Sequence, residues 1–207
     1  MGALINMGLV SGTHLAMLFF IPQYLQRVLD FTPLQTGIAI VPMTATIFIV
    51  TRWVPGWAAR FGPRALLLLG GIFLIVSFVL WVPLNESSSY VRVLIPLLVH
   101  ALGVALIFTS GTLVAMDRVP DSDAGLGSGM LQMAQQLGGS LGIAIVVSAY
   151  ATGAVDDQFV PGLRSALLTA GALAVLATLV AAVTIGGRRR GEPAHSATLR
   201  GTDRFTS

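Results

Sequence analysis

The feature that most constrains this chain is a succession of six apolar runs, separated by short polar turns. A helix of about twenty apolar residues crosses about 30 Å of hydrocarbon, so each run predicts one transmembrane helix. The predicted spans lie at about 3–26, 34–57, 65–83, 92–116, 125–151 and 163–186. The composition agrees, because 55% of the residues are hydrophobic and only 10% are charged. A water-soluble domain of this size does not sustain that balance.

The connections between these runs are short and rich in turn-forming residues. They read DFTP (30–33), ARFGPR (59–64), NESSSY (85–90), DRVPDSD (117–123) and DDQFVPG (156–162), and none is long enough to hold a soluble domain. Clusters of Pro, Gly, Asn and Asp between apolar segments mark loops. We therefore predict one six-helix transmembrane domain over residues 1–187. Residues 188–207 lack apolar periodicity, so we expect a disordered basic cytoplasmic tail there.

The distribution of arginine predicts the orientation. All twelve basic residues are arginine, and six spans place nine of them on the side of the termini, whereas Arg27, Arg92 and Arg164 fall on the other side. Loops that face the cytoplasm are enriched in basic residues. We therefore expect a multi-pass protein of the cell membrane with both termini cytoplasmic. Because the arginines lie between apolar runs, we expect the lipid bilayer as a partner and no nucleic acid.

The six helices differ in polarity. The third and sixth are almost free of polar side chains other than Ser and Thr, whereas the first, second, fourth and fifth carry Asn, His, Gln or Arg within or near the hydrocarbon. Polar side chains in a membrane face a bundle interior or an aqueous cavity. The pattern predicts an all-α integral membrane fold built as a repeat of three plus three helices, in which the third helix of each repeat faces lipid.

The segment SGMLQMAQQLGGSLGIAIVV, residues 128–147, places three glutamines and four glycines in an apolar helix. At about 100° per residue, one sector of about 80° holds most of its polar and small residues. This sector contains Ser128, Gln132, Gln135, Gly139 and Gly142, with Gln136 and Ser140 at its edge. It is either a seam between helices or the wall of a cavity. The pairs Gly125/Gly129 and Gly138/Gly142 have the small-xxx-small spacing of close helix packing.

The first helix carries a matching sector. Its members are Asn6, Thr13, Met17, Phe20 and Tyr24. Mixed polar, methionine and aromatic side chains suit a permissive site for small hydrophobic or cationic drug-like compounds, although ordinary helix packing uses the same mixture. The titratable groups deepest in the predicted spans are His14 and His100, and histidine can accept a proton near neutral pH. The candidate cavity residues are Asn6, Thr13, His14, Met17, Tyr24, Gln132, Gln135 and Gln136.

Three blocks of sequence resemble a known family. They are FFIPQYLQRVLDFTPLQTGIAIVP (19–42), PGWAARFGPR (55–64) and GLGSGMLQMAQQLGGSLGIAI (125–145). Together they closely resemble the carboxyl-terminal half of the major facilitator superfamily, in particular its fourteen-helix drug:proton antiporters. The resemblance implies an exporter that uses the proton gradient, with these six helices forming one bundle of a two-bundle fold.

The resemblance has two departures. Arg60, Gly62 and Arg64 fit the family's cytoplasmic loop motif, but Ala59 stands in place of an Asp and Pro55 in place of a Gly. The resemblance does not include the amino-terminal bundle, which in this family carries the main acidic proton carriers, and no Asp or Glu lies in the six predicted spans. We therefore expect the chain to be incomplete alone and to require a separate amino-terminal half or a second copy.

Two alternatives to a transporter half remain at this stage. One is an inert, truncated membrane remnant. The other is an intramembrane serine protease that uses VSGTH (10–14) or TSGT (109–112), but neither serine has the preceding glycine of a G-x-S-G motif. Such an enzyme needs an exposed serine and a positioned base. Cysteine is absent, and we expect no catalytic residue, metal or cofactor.

Overall fold

The computed structural model describes residues 2–85, 88–117, 119–154 and 159–184. The helices are α1 (Gly2–Arg27), α2 (Pro33–Phe61), α3 (Pro63–Trp81), α4 (Tyr90–Met116), α5 (Ala124–Gly153) and α6 (Phe159–Thr184). A short 3-10 turn, Asp121–Asp123, precedes α5, and no strand occurs in the described ranges. Each of the six helices is long and apolar enough to cross a membrane. The predicted all-α fold of six spanning helices is confirmed.

The turn between α1 and α2 shows how the sequence sets a helix boundary. Asp30 has a φ of 54° and turns the chain out of α1. Thr32 then caps α2: its side chain accepts a hydrogen bond from the Gln35 amide, and the Gln35 side chain accepts one from the Thr32 amide at 2.9 Å. Pro33 occupies the first turn, where its missing N–H removes no helical hydrogen bond. The sequence DFTPLQ (30–35) therefore specifies the start of a helix.

The link between α2 and α3 is shorter than the predicted connection at 59–64. Helix α2 continues through Pro55 and Arg60 to Phe61, and α3 begins at Pro63. Gly62 alone joins them, with a φ of 84° that a side chain rarely adopts. The predicted connection was too long because Pro63 fits the first turn of α3 and Gly62 alone makes the turn, so Ala59, Arg60 and Phe61 remain in α2. The predicted tail at 188–207 lies outside the described residues.

The six helices pack as two related triplets. Exchanging α1 with α4, α2 with α5 and α3 with α6 turns each helix contact into an observed contact. The contact α1–α5 becomes α4–α2, α3–α4 becomes α6–α1, and α5–α6 becomes α2–α3. The contacts α1–α4 and α3–α6 join equivalent members of the two triplets. A twofold relation between α1–α3 and α4–α6 produces this pattern. The predicted three-plus-three repeat is therefore visible in the helix contacts.

Helix α1 lies at the centre of the bundle and contacts four other helices. Its core side chains include Met7, Met17, Phe20 and Tyr24, each at most 3% exposed. The ring of Tyr24 meets that of Trp81 edge to face, with centroids 5.6 Å apart. Helix α2, in contrast, is the least buried of the described helices. Whether a polar residue is buried or exposed in this fold therefore depends first on which helix carries it.

Glycines bring α1 and α5 into backbone contact. A Cβ on Gly138 would overlap the backbone of Gly8, and a Cβ on Gly142 would overlap the backbone of Gly12. Gly8 and Gly12 on α1, and Gly138 and Gly142 on α5, each have the small-xxx-small spacing that allows two helices to approach closely. We call these four residues the glycine seam. It fixes α1 against α5 and thereby sets the position of His14, two residues beyond Gly12.

Candidate functional site

An open groove lies along one side of the bundle, between α1, α2 and α4. Its volume is about 550 Å³, and it is lined by His14, Ile47, Thr51, Val104, Ala105, Phe108, Thr109, Thr112 and Leu113. Most of its wall is apolar, and three threonine hydroxyls and one imidazole interrupt it. We call this feature the α1–α2–α4 groove. Its chemistry suits a ligand that is largely apolar and carries a few polar or charged atoms.

His14, which lines this groove, is paired with the buried His100. His14 Nδ1 lies 3.2 Å from His100 Nε2, within hydrogen-bond distance, and which ring donates depends on the tautomers. The rings are stacked, with centroids 5.5 Å apart and planes inclined by 15°. His14 contacts Phe108 of the groove edge to face, and His100 contacts Phe78 of α3 in the same way. The pair therefore connects the groove to the bundle interior.

The two histidines differ in exposure. His100 is fully buried, and its Nδ1 has no hydrogen-bond partner among the described residues. His14 is partly exposed and lines the groove. None of the chain's nine acidic residues lies within α1–α6. The pair is therefore set among helices that supply no carboxylate to neutralise an imidazolium.

The polar sector predicted on α1 lies in the core and does not line the groove. Asn6 Nδ2 donates to the Ala177 carbonyl at 2.6 Å, Thr13 Oγ1 to the Val10 carbonyl at 2.8 Å, and Tyr24 to the Asn85 carbonyl at 2.9 Å. Met17 is 2% exposed. These placements correct the expectation that Asn6, Thr13, Met17 and Tyr24 border a cavity. The physical reason is that α1 is central, so these three polar side chains donate hydrogen bonds to α6, to the α3–α4 connection and to the backbone of α1 itself.

The glutamines of α5 lie apart from the groove. Gln132 and Gln136 are exposed and Gln135 is half-buried, while α5 packs inward through Leu131, Gly139, Gly142 and Val146. No side-chain hydrogen bond joins the three glutamines to the part of the chain that the structure describes. Of the eight predicted cavity residues, only His14 therefore lines the α1–α2–α4 groove.

The predicted packing glycines divide into two kinds. Gly138 and Gly142 belong to the glycine seam, as the spacing predicted. A Cβ on Gly125 or Gly129 meets nothing within 4 Å, so this pair packs against no helix in the described ranges. The expectation of packing at Gly125 and Gly129 is corrected for this reason. Equal spacing leads to different environments because Gly125 and Gly129 are exposed, whereas Gly138 and Gly142 face α1.

The residues of the predicted loop motif hold helix ends together. Arg64 Nη2 donates to the Ala182 carbonyl at 3.2 Å, which ties the first turn of α3 to the last turn of α6. The Arg60 guanidinium lies 5.4 Å from the centroid of the Phe61 ring. Gly62 provides the turn between them. The motif therefore lies at one end of the bundle, away from the histidine pair.

The serine protease alternative is wrong. Ser11 is 4% exposed and Ser110 is fully buried, and neither hydroxyl has a hydrogen-bond partner among the described residues. His14 Nδ1 lies beside His100 and not beside a serine. An exposed nucleophile with a positioned base is therefore missing from both serine motifs.

Some groove residues were not predicted from the sequence. Thr51, Phe108, Thr109 and Thr112 belong to residue types that occur throughout membrane helices, so the sequence gives them no special signal. The sequence contains only a weak indication that the two histidines pair. His14 and His100 lie near the middle of α1 and α4, and these helices occupy equivalent positions in the two triplets. Equivalent central helices meet, and central residues on them become neighbours.

Comparisons with known proteins agree with this architecture. Residues 1–143 match the family model of the Major Facilitator Superfamily. The chain is 35% identical over 135 residues to the multidrug resistance protein Stp of Mycobacterium tuberculosis, a match covering 65% of this chain and 25% of the relative. It is 31% identical over 141 residues to the tetracenomycin C resistance and export protein of Streptomyces glaucescens, covering 68% and 26%. The multidrug efflux pump LfrA of Mycolicibacterium smegmatis is 29% identical over 127 residues, covering 61% and 25%.

The matched region is a part of each relative. In these three matches the aligned segment spans about a quarter of the relative's length. The family model covers more than half of this chain, and the relatives are named as resistance, export or efflux proteins. The family consists of transporters, which agrees with the prediction that the chain is not an enzyme. With six membrane-spanning helices in two related triplets and the matched residues, this chain belongs to the Major Facilitator Superfamily.

Proposed function

We propose that this chain forms the carboxyl-terminal bundle of a proton-driven exporter of hydrophobic or cationic drug-like compounds. The α1–α2–α4 groove is the observation that carries the proposal, because it offers an apolar wall, three hydroxyl groups and an aromatic ring. The names of the relatives support multidrug or antibiotic export as the process. Proton coupling and the place of the chain in a two-bundle transporter are part of the proposal.

The groove wall fits an amphipathic cation. Ile47, Val104, Ala105 and Leu113 provide apolar surface, and Phe108 provides an aromatic ring. A cation near an aromatic face is attracted by the ring quadrupole, and the threonine hydroxyls can accept or donate hydrogen bonds. The partial exposure of the groove leaves one side of such a ligand uncovered. A second bundle would cover that side in the complete transporter.

The partner of this bundle is either a separate amino-terminal half or a second copy of the chain. Helix α2 is the least buried described helix, and the face of α5 that carries Gln132 and Gln136 is exposed. Glutamines are costly in lipid. We infer that part of the exposed α2 and α5 surface contacts the second bundle, and that Gln132, Gln135 and Gln136 face it or the cavity between the bundles.

We place the protein in the cell membrane with both termini in the cytoplasm, on the basis of the arginine distribution. The test uses single cysteines in this cysteine-free chain. A cysteine at the exposed Ser89, between α3 and α4, should react with an impermeant thiol reagent from outside. A cysteine at the exposed Ser122, between α4 and α5, should react from the cytoplasmic side. Reaction of both cysteines from the same side would contradict the proposed topology.

Ligand binding tests the groove. Thr112 lies exposed in the groove and donates to its own helix, and Thr152 lies exposed outside it and does the same on α5. In the purified chain in lipid nanodiscs, Thr112→Phe should weaken binding of the fluorescent cation ethidium by at least about tenfold, or about 1.4 kcal/mol, because the ring fills the groove. The matched variant Thr152→Phe should bind as the parent does. Equal binding by both variants would remove the groove as the ligand site.

A further inference from the structure

The contact between His14 and His100 leaves one buried ring nitrogen without a partner. Each neutral imidazole has one N–H donor and one bare acceptor nitrogen, and only one N–H can occupy the 3.2 Å contact between Nδ1 of His14 and Nε2 of His100. Whichever ring donates, His100 Nδ1 stays unpaired and fully buried among the described residues. A buried polar atom of this kind indicates a functional role when it belongs to an ionisable side chain in a membrane.

The surroundings supply no other group that could bind a proton at this position. The charged and titratable residues described on the packed helices are Tyr24 and Arg27 on α1, Arg52 and Arg60 on α2, Arg64 on α3, Tyr90 and Arg92 on α4, Tyr150 on α5 and Arg164 on α6. None of them makes a described hydrogen bond, ion pair or ring contact with either imidazole. Phe78 and Phe108 contact the two rings instead. A proton taken up here therefore belongs to the histidine pair.

We propose that the His14–His100 pair is a single proton-binding site that opens to the α1–α2–α4 groove. When His14 donates from Nδ1 to His100 Nε2, its Nε2 keeps a lone pair, and a proton from water in the groove forms a new N–H bond there. The imidazolium of His14 then donates a charge-assisted hydrogen bond to neutral His100, which is stronger than the neutral one. The water that gives the proton leaves as hydroxide and is neutralised in bulk solvent. A second proton is opposed by repulsion between two cationic rings in direct contact.

The pair is placed so that proton and ligand compete. His14 lines the same groove that would hold an organic cation, and like charges held close together in this mostly apolar groove repel each other. Binding of the cation therefore expels the proton, and binding of the proton expels the cation. This exchange is the coupling step that an antiporter needs, and its role in transport rests on the proposed function. Proton binding by the histidine pair does not depend on the proposed function.

The first experiment observes the imidazoles directly. The chain has three histidines, so a His195→Gln parent leaves only the pair. Nitrogen-15 NMR of the purified, histidine-labelled parent in nanodiscs should show both rings responding to one shared protonation step as the pH is lowered from about 8 to about 3. In His14→Gln, the remaining ring should lose that step. Two rings that stay neutral over this range, or that titrate independently of each other, would overturn the proton site.

The second experiment links the proton to a cation. Binding of tetraphenylphosphonium to the His195→Gln parent should release about one proton into weakly buffered solution, and its affinity should fall about tenfold per pH unit below the shared midpoint. The His14→Gln variant should bind the cation with no proton release. Cation binding without proton release by the parent would overturn the competition. A shared protonation step in a parent that binds no cation would support the proton site and count against the proposed function.

Discussion

The two flanks of α1 differ sharply although they lie on the same helix. On one flank, Gly8 and Gly12 meet Gly138 and Gly142 of α5, and no space remains for a side chain. On the other flank, His14 lines an open groove between α2 and α4. The closed flank holds the helix in position by backbone contact, while the open flank leaves an ionisable side chain accessible. The comparison shows how one bundle can combine a rigid support with a surface for ligand.

The largest expected effect concerns the open flank, which has no cover in the isolated bundle. Because alternating access requires one bundle to rock against another, the chain expressed alone should insert into the membrane and export nothing. Cells that carry it should show the drug resistance and ethidium retention of a vector control, with a full-length family member as the positive control. Proton-dependent export by the purified chain in liposomes would contradict this and would indicate that two copies supply both bundles.

The closed flank should be sensitive to a single side chain. Gly138→Leu would place a large side chain against the backbone of Gly8, and we expect a loss of about 3 kcal/mol in the free energy of unfolding. Gly129→Leu on the same helix meets open space and is the matched control. Thermal unfolding in detergent measures both. A change of equal size in the two variants would show that α5 tolerates no leucine at all and would remove the glycine seam as the cause.

Thiol reactivity should separate the groove from the core. A cysteine at Thr112, which is exposed in the groove, should react with a small water-soluble reagent at least about tenfold faster than a cysteine at Asn6, which is 3% exposed. The sequence alone predicted Asn6 as a cavity residue, so this pair of positions distinguishes the two accounts. Equal reaction at both positions would favour the earlier expectation and contradict the packing of α1.

The smallest expected effect comes from the core polar contact of α1. Asn6→Leu removes the hydrogen bond to the Ala177 carbonyl, and we expect a loss of about 1 kcal/mol in the free energy of unfolding because such bonds contribute modestly inside membranes. Ser148→Ala removes a bond from an exposed serine to its own helix and should have little effect. Denaturant titration of both variants gives the difference. Weaker drug binding with unchanged stability in Asn6→Leu would show that Asn6 belongs to the ligand site after all.

Hydropathy alone was sufficient to predict the six helices, because length and apolar content decide whether a segment spans a membrane. It misplaced the end of α2, since Ala59, Arg60 and Phe61 were assigned to the connection at 59–64 but lie inside the helix. The three-plus-three arrangement followed from differences in polarity between helices, and the helix contacts agree with it.

The candidate site was harder to predict than the fold. A polar sector shows that a helix avoids lipid, but it does not show whether the helix lies at the centre of a bundle or beside a cavity. Asn6 and Tyr24 fell in the core for that reason. The contact of His14 with His100 depends on how α1 and α4 cross, and no local pattern in either helix contains that information.

Photolabelling would test the difference between the two flanks most directly. A photoactivatable tetraphenylphosphonium derivative is bound to the purified chain in nanodiscs, activated, and located by mass spectrometry of the labelled peptides. We expect labelling in residues 47–51 of α2 and 104–113 of α4, where the groove-lining residues lie, and competition by unlabelled cation. Competed labelling confined to residues 130–141 of α5, with none in the groove, would contradict the assignment of the open flank as the ligand surface.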